Sequence, residues 1–383
     1  MSKIDTALRL VKGDRKKLRG VIWEKTLGRF VFYLPLRSRI KWRYRSNFGR
    51  NPDLRHPRLQ SEKIQWRKMY CPQIRLLSVI SDKVQAYDFV RGRIGGQHLN
   101  TILWSGKQLT PDIVRSLGDN VIYQPTARSG QVFKVSAVSK ISPEKLCALI
   151  NPLLKWPYSM LGEECWYGQA QQTIAARPLV YWEGGPEYVC DVKMHIFQNS
   201  CSAQQVIVEL IDHSVFIKGR RQGEDQHWRV MLNESGEVMS FNWNPSDYPL
   251  PVVMPELPYC FDQLVENGKK LAEGIDYVRV DFLVTSEDYY FSEMTFAPTG
   301  GMMHMEPNEW DLKIGEMWDL DIGNFFKRFI WKQRAWLPLW KLEFPMRALR
   351  RLATKLMADT PSKLYCESDY SADTELAERE TEH

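Results

Sequence analysis

Residues 277–296, YVRVDFLVTSEDYYFSEMTF, constrain the fold more than any other stretch of this chain. Val278, Val280 and Phe282 alternate with Arg279 and Asp281, the two-residue period of a strand with one apolar and one polar face. A second run carries Glu293 and Thr295 on a shared face. A five-residue loop over 285–289 would make the two runs a hairpin, with Asp281 opposite Glu293 and Arg279 opposite Thr295. Two carboxylates opposed across a ladder repel each other. Either this is a solvated polar face with a surface acid pair, or a divalent cation lies between the acids; oxygen donors suit Mg²⁺.

The rest of the 383 residues reads as helices and short strands. Residues 62–70 and 84–94 have helical character, the latter with Val84, Tyr87, Val90 and Ile94 near helical spacing. Thr110-Pro111 and Ser142-Pro143 each place a capping hydroxyl before Pro at the first helical position. Between them, Val121–Tyr123 and Val132–Val135 predict two strands joined by the turn Gln124-Pro125-Thr126-Ala127-Arg128-Ser129-Gly130-Gln131. Small residues there would let backbone N–H groups approach a phosphate, or the turn is an ordinary hairpin. Further strands are expected at Leu179–Tyr181, Val189–Phe197 and Val206–Ile211. In the second of these Asp191, Lys193 and His195 share a face, so Lys193 would hold a phosphate or carboxylate, or form a surface ion pair. Residues 218–251 read as loop, and Phe261, Leu264, Val265, Gly268, Leu271 and Ile275 as one amphipathic helix.

Charge divides the chain. Residues 1–50 carry +12, residues 321–358 carry +7, residues 359–383 carry −6, and the remaining core carries −7 of a total of +6. Basic flanks call for an anionic partner, and the absence of RGG, RNP or helix-turn-helix signatures argues against nucleic acid. In 321–358, Met346, Leu349, Leu352 and Leu356 form a stripe flanked by Arg347, Arg350, Arg351 and Lys355, after Trp331, Trp336 and Trp340. Such a helix can lie on an anionic bilayer or pack on the body of the protein. Seven scattered cysteines without CxxC spacing argue against a zinc knuckle or disulfide framework, which with no leader-like N-terminus predicts a cytoplasmic chain.

From about residue 58 to 320 the blocks SEKIQWRKMY, SDKVQAYDFVRGRIGG, VIYQPTARSGQV, CDVKMHIF, YVRVDFLV and YFSEMTFAPTGG, followed by MEPNEWDLKIG, together resemble the TupA-like branch of the ATP-grasp superfamily. The resemblance implies an α+β ATP-grasp fold of two α+β lobes, with ATP between them and Mg²⁺ on acids of the larger lobe. It implies a ligase that phosphorylates a carboxylate and lets an amine attack the acyl phosphate. The setting would be synthesis of a surface polysaccharide such as capsule, O-antigen or a teichuronopeptide, with a uronic acid as the anionic partner, at the inner face of the cytoplasmic membrane. Asp281, Glu293 and Thr295 match the metal-binding positions, Lys193 the lysine of an Asp-x-Lys strand, Ser129-Gly130 the phosphate loop, and Asp82-Lys83 the start of a nucleotide-lobe helix. Arg279 or His304 would contact the acyl phosphate.

The chain departs from that pattern where Tyr87 and Gln124 replace phosphate-facing cations, and where the hinge acid, Glu183, falls one place late. Arg128, Lys134 or Lys193 is expected to compensate beside Gln124, and Gln124→Lys to tighten ATP binding. Asp281→Asn is expected to abolish turnover with little loss of stability. The alternatives are a degenerate ATP-grasp scaffold that binds a glycan or a partner, and a glycosyl- or phosphotransferase using the same metal site. The expected division is a basic aromatic extension over 1–60, a helical region over 61–120 and a small nucleotide lobe over 121–185. A larger lobe over 186–320, basic amphipathic helices over 321–358 and an acidic disordered tail over 359–383 complete it.

Overall fold

The computed structural model describes residues 34–70, 73–136, 141–155, 158–180, 189–199, 203–212, 228–243, 250–251 and 254–320. The chain divides into two units, Met1–Gly49 with Ile322–His383, and Arg50–Asp321. The described part of the first is a basic helix α1, Leu36–Phe48, which ends on Gly49 in the left-handed region at φ 72°. The amphipathic stripe of 321–358 and the acidic tail lie outside the described residues.

The second unit runs α2 (Gln60–Tyr70), α3 (Ile74–Ile80), α4 (Ala86–Ile94), β1 (Trp104–Gly106), α5 (Pro111–Leu117), β2 (Val121–Pro125), β3 (Phe133–Val135) and α6 (Pro143–Ile150). It continues with β4 (Ile174–Pro178), β5 (Val189–Phe197), β6 (Gln205–Asp212), β7 (Arg229–Asn233), β8 (Asn242–Trp243), α7 (Phe261–Ala272), β9 (Tyr277–Thr285), β10 (Tyr289–Thr295), β11 (Met305–Glu306) and α8 (Trp310–Glu316). These α+β elements build a four-stranded sheet in the order β1-β4-β2-β3 and a five-stranded sheet in the order β10-β9-β5-β6-β7, all pairings antiparallel.

The four-stranded sheet packs one face on α5 and α6. Val121, Tyr123, Ile174 and Ala176 join Val114, Leu146 and Ile150 in its core. Both helices start as the sequence predicts: Thr110 Oγ1 accepts from the Ile113 N–H at 3.4 Å and Ser142 Oγ from the Lys145 N–H at 3.2 Å. Strand alternation leaves Ile122, Gln124, Ala175 and Arg177 on the opposite face, with Gln124 paired to Ala175 and Ile122 to Arg177. The strand expected at 179–181 lies earlier, at Ile174–Pro178; Pro178 ends the ladder, and Tyr181 is outside the described residues. Strand β1, within the region read as helical, is an edge of this sheet. Likewise 218–251, read as loop, contains β7 and β8; their short runs lack the alternation that marks a strand from sequence.

The five-stranded sheet buries the apolar face of β5 and β9 (Val192, Met194, Ile196, Val280, Phe282) in the main core. Helix α7 lies close over it. A Cβ at Gly268 would come within 2.7 Å of Met194 Cε and 3.1 Å of Ile196 Cδ1, so any larger residue would have to displace the Met194 side chain. The opposite face of the sheet is polar.

The β9–β10 hairpin has the predicted pairs, Glu293 with Asp281 and Thr295 with Arg279, but not the predicted loop. The strands run closer to the turn, leaving three loop residues, 286–288, rather than five. That tighter turn pairs Tyr289 with Val284 and Phe291 with Phe282, one step out of the expected register. A β-bulge between Phe291 and Glu293 inserts Ser292 and restores it. Tyr289 and Phe291 therefore enter the core before the bulge, and Glu293 and Thr295 turn to the polar face after it. Were Ser292 paired in regular register instead of bulged, it would oppose Asp281, and Glu293 would oppose Val280 on the apolar side.

Helix α2 braces the far end of this hairpin with a polar surface. Arg67 Nη1 donates to the carbonyls of Tyr277 (2.8 Å) and Phe296 (3.1 Å), and Nη2 pairs with Asp276. Lys63 Nζ donates to the carbonyls of Gly315 (2.6 Å) and Trp318. Its charged residues are buried because they satisfy strand-end and helix-end carbonyls.

Candidate functional site

The polar face of the five-stranded sheet carries a row of paired charges. Arg279 donates twice to Asp281, from Nε to Oδ1 and from Nη2 to Oδ2, both at 2.6 Å. Its Nη2 also reaches Glu293 Oε1 and Thr295 Oγ1, each at 3.4 Å. Both acids thus touch one nitrogen, and their oxygens lie no farther apart than the sum of 2.6 and 3.4 Å. From β5, Lys193 Nζ is 3.1 Å from Asp281 Oδ2 and 2.9 Å from Asp191 Oδ2. Deeper along the same face, His195 Nδ1 lies 2.9 Å from the Tyr277 hydroxyl and Nε2 3.4 Å from Glu209, which pairs with Arg229 at 2.7 Å.

The four-stranded sheet meets this row through Lys83. The Lys83 N–H donates to the Thr126 carbonyl at 3.1 Å, its Nζ donates to the Arg128 carbonyl at 2.8 Å, and the same Nζ lies 3.2 Å from Glu293 Oε2. Asp82 fixes that turn: Oδ1 accepts from the N–H groups of Val84 and Gln85, and Oδ2 accepts from Thr126 Oγ1 at 2.7 Å. One ammonium therefore ties the turn that contains Ser129 and Gly130 to the acid pair. Gly130 holds φ 74° there, with no atom within 4 Å of where a Cβ would stand.

Electrostatics follow from this pairing. Burial alone would raise the Glu293 carboxyl, but Lys83, Arg279 and Lys193 bring it down to about 2. Burial would likewise lower Lys193 and Arg279; Asp191 and Asp281 raise the former, and Asp281 and Glu293 the latter, above their ordinary values. Glu164, buried beside this group, is pushed up to about 8 by desolvation, with Glu293 adding to the rise and Lys68, Lys83 and Arg279 opposing it.

Asp281, Glu293 and Thr295 offer the hard oxygen donors that suit Mg²⁺. Their surroundings add a condition. Asp191, Asp281 and Glu293 are already matched one for one by Arg279, Lys193 and Lys83. A bare dication would leave a surplus of positive charge, whereas a cation that arrives with a polyphosphate brings its own countercharge. The donors fit a metal–polyphosphate pair. The repulsion expected between the opposed acids is relieved here by Arg279 and the two lysines. Among the described residues no group of three or more His, Cys, Asp or Glu converges as a metal cluster.

The other expected site residues are dispersed. Arg128 donates from Nη1 to the Leu153 carbonyl at 3.0 Å, and its guanidinium lies over the Tyr158 ring. Lys134 is exposed on the short edge strand β3, and Lys193 is held by its two acids. Of the three cations expected to replace the missing lysine, Lys134 lies opposite Ile122 and so shares the sheet face of Gln124. His304 is exposed, and Glu183 lies outside the described residues. Sequence reading assigned Lys83 no contact and missed Glu164, Glu209 and Arg177. The Asp82-Lys83 pair marked a helix start, but only the tertiary fold brings it against Glu293.

No curated protein matches the chain. Solved structures that resemble it include a D-alanine–D-alanine ligase from Bacillus anthracis, 14% identical with a TM-score of 0.32, each chain covered over 58%. The corresponding ligase from Helicobacter pylori is 13% identical with a TM-score of 0.35, each chain covered over 67%. The ATP-grasp ligase PsnB, complexed with a minimal precursor, is 15% identical with a TM-score of 0.30, covering 73% of this chain and 67% of its own. The match thus spans little more than half the length of the first of them. The family model for TupA-like ATP-grasp matches residues 253–319, so the stretch that holds α7, the β9–β10 hairpin and α8 is similar to TupA-like ATP-grasp proteins.

Proposed function

We propose that this chain is an ATP-dependent ligase that activates a carboxylate for attack by an amine. The observation that carries the reading is Lys83, whose ammonium lies 2.8 Å from the carbonyl of Arg128 in the glycine turn and 3.2 Å from Glu293 of the acid pair. A loop suited to phosphate and a pair of acids suited to Mg²⁺ are thus held within one side chain's reach. Asp281, Glu293 and Thr295 would hold the metal, and backbone N–H groups at Ser129 and Gly130 the terminal phosphates. Bound there, Mg·ATP would supply the phosphoryl group that activates the carboxylate. Arg279, fixed by Asp281 on a strand of the buried sheet, presents a positive group that needs no reorganisation as negative charge develops. Lys193, kept charged by Asp191 and Asp281, adds a second.

In this reading the carboxylate is that of a uronic acid and the setting is surface-polysaccharide synthesis, as the sequence resemblance implies. Among the described residues no helix is long and apolar enough to cross a membrane. Peripheral binding to anionic lipid through 321–358 is part of the same proposal. Calorimetric titration with Mg·ATP, followed by ADP release in the presence of a uronic acid and a panel of amines, tests it. Micromolar binding with substrate-dependent ADP release is expected. Binding without release would leave a scaffold, and no binding would remove the ligase reading.

A further inference from the structure

The second face of the four-stranded sheet holds a charge that no carboxylate among the described residues matches. Arg177 is 6% exposed, and its one hydrogen bond runs from Nη1 to the Tyr87 hydroxyl at 3.2 Å. Its Nε is buried without a partner, and no carboxylate pairs with it among the described residues. Gln124, 3% exposed, has a buried side-chain Nε2 that likewise lacks an acceptor. The register puts these two on the same face, since Ile122 opposes Arg177 and Gln124 opposes Ala175. They are diagonal neighbours, with about 7–8 Å between them by ladder geometry. Tyr87 lies between the sheets, its ring 6.5 Å from that of Phe291 on β10.

A buried guanidinium without a countercharge is costly, and a buried amide N–H without an acceptor adds to that cost. Both are donors, both face the same way, and both are orphaned together. An anion with oxygens to accept from each would satisfy them at once. We propose that Arg177, oriented by the Tyr87 hydroxyl and joined by the Gln124 amide, is a phosphate-binding subsite of the nucleotide site. The inference rests on the nucleotide reading above. It supplies the cation missing at positions 87 and 124 from strand β4, on the neighbouring ladder position rather than along β2. Tyr87 then acts as a positioning residue, and Arg177 and Gln124 touch the ligand.

The test uses the full chain with two probes, Mg·ATP and inorganic tripolyphosphate, read by calorimetry, together with the melting temperature without ligand. Arg177→Gln is expected to weaken both probes roughly 10- to 100-fold. It is also expected to raise the ligand-free melting temperature, because an unpaired buried charge is removed. A lower melting temperature with unchanged affinity would mean a structural arginine and would overturn the proposal. Arg177→Lys, which keeps the charge, guards against a folding defect and should bind within several-fold of wild type. Gln124→Lys in the Arg177→Gln background moves the cation to the diagonal position and should recover most of the lost affinity; a structural role would not be rescued this way. Arg177-dependent binding of tripolyphosphate without binding of Mg·ATP would keep the subsite and remove the ligase reading. Equal Mg·ATP affinity in wild type and Arg177→Gln would do the reverse, and binding of neither probe would remove both.

Discussion

The two sheets treat buried charge in opposite ways. On the five-stranded sheet, Asp191, Asp281 and Glu293 are met by Lys193, Arg279 and Lys83 within 3.4 Å. On the four-stranded sheet, among the described residues, the Arg177 side chain is hydrogen-bonded only to the Tyr87 phenol. A balanced cluster holds its geometry in the absence of ligand, at the cost of accepting a lone cation poorly. An unbalanced one is costly when empty and gains when an anion arrives. Paired as they are across Lys83, the two faces describe a site that accepts a metal and a polyphosphate together better than either alone.

The largest test of this contrast is Asp281→Asn. Since Asp281 neutralises both Arg279 and Lys193, its amide should cost about 3–5 kcal/mol in denaturant unfolding as well as turnover. This replaces the expectation of a stability-neutral variant. Adding Arg279→Met should restore part of that stability but not activity. If Asp281→Asn alone is as stable as wild type, the cluster is not balanced as described.

The smallest expected effect concerns pH. The Glu164 carboxyl, among Lys68, Lys83, Arg279 and Glu293, is pushed by burial up to about 8, from an ordinary value of 4.5. It therefore holds a proton in the native state that the unfolded chain gives up first. The stability it contributes is full below about 4.5 and falls as pH rises toward 8. Glu164→Gln should flatten that decline by a few kcal/mol at most, measured by urea unfolding at pH 5, 7 and 9. Parallel pH profiles for wild type and variant would mean that the carboxyl is already ionised at neutral pH.

How far the sequence reached depends on the range of the interaction that decides each feature. Caps and periodicity are local, so the helix starts at Thr110-Pro111 and Ser142-Pro143, the strand Val189–Phe197 and the helix from Phe261 were all legible. The pairing of Asp281 with Glu293 was legible too, yet through a compensation: the turn is shorter than expected, and Ser292 restores the register. Alternation could show that Glu293 shares a face with Thr295, but a bulge obeys the packing of Tyr289 and Phe291 against the core, which no window of sequence displays. Strands β7 and β8 escaped because they are short and are strands only by virtue of their neighbours.

The sequence by itself determined which residues carry charge on the hairpin and which turn is rich in small residues. The tertiary structure alone decided what those charges meet. It set Arg279 rather than open water between the acids, carried Lys83 across more than 200 positions to Glu293, and sent Arg128 to the Leu153 carbonyl. It also brought Arg177, from a strand the sequence placed several residues too late, onto the face of Gln124. The physical reason is that strand pairing fixes neighbours at ladder positions, while the energy of a buried charge depends on whatever stands within a few ångströms, wherever in the chain it comes from.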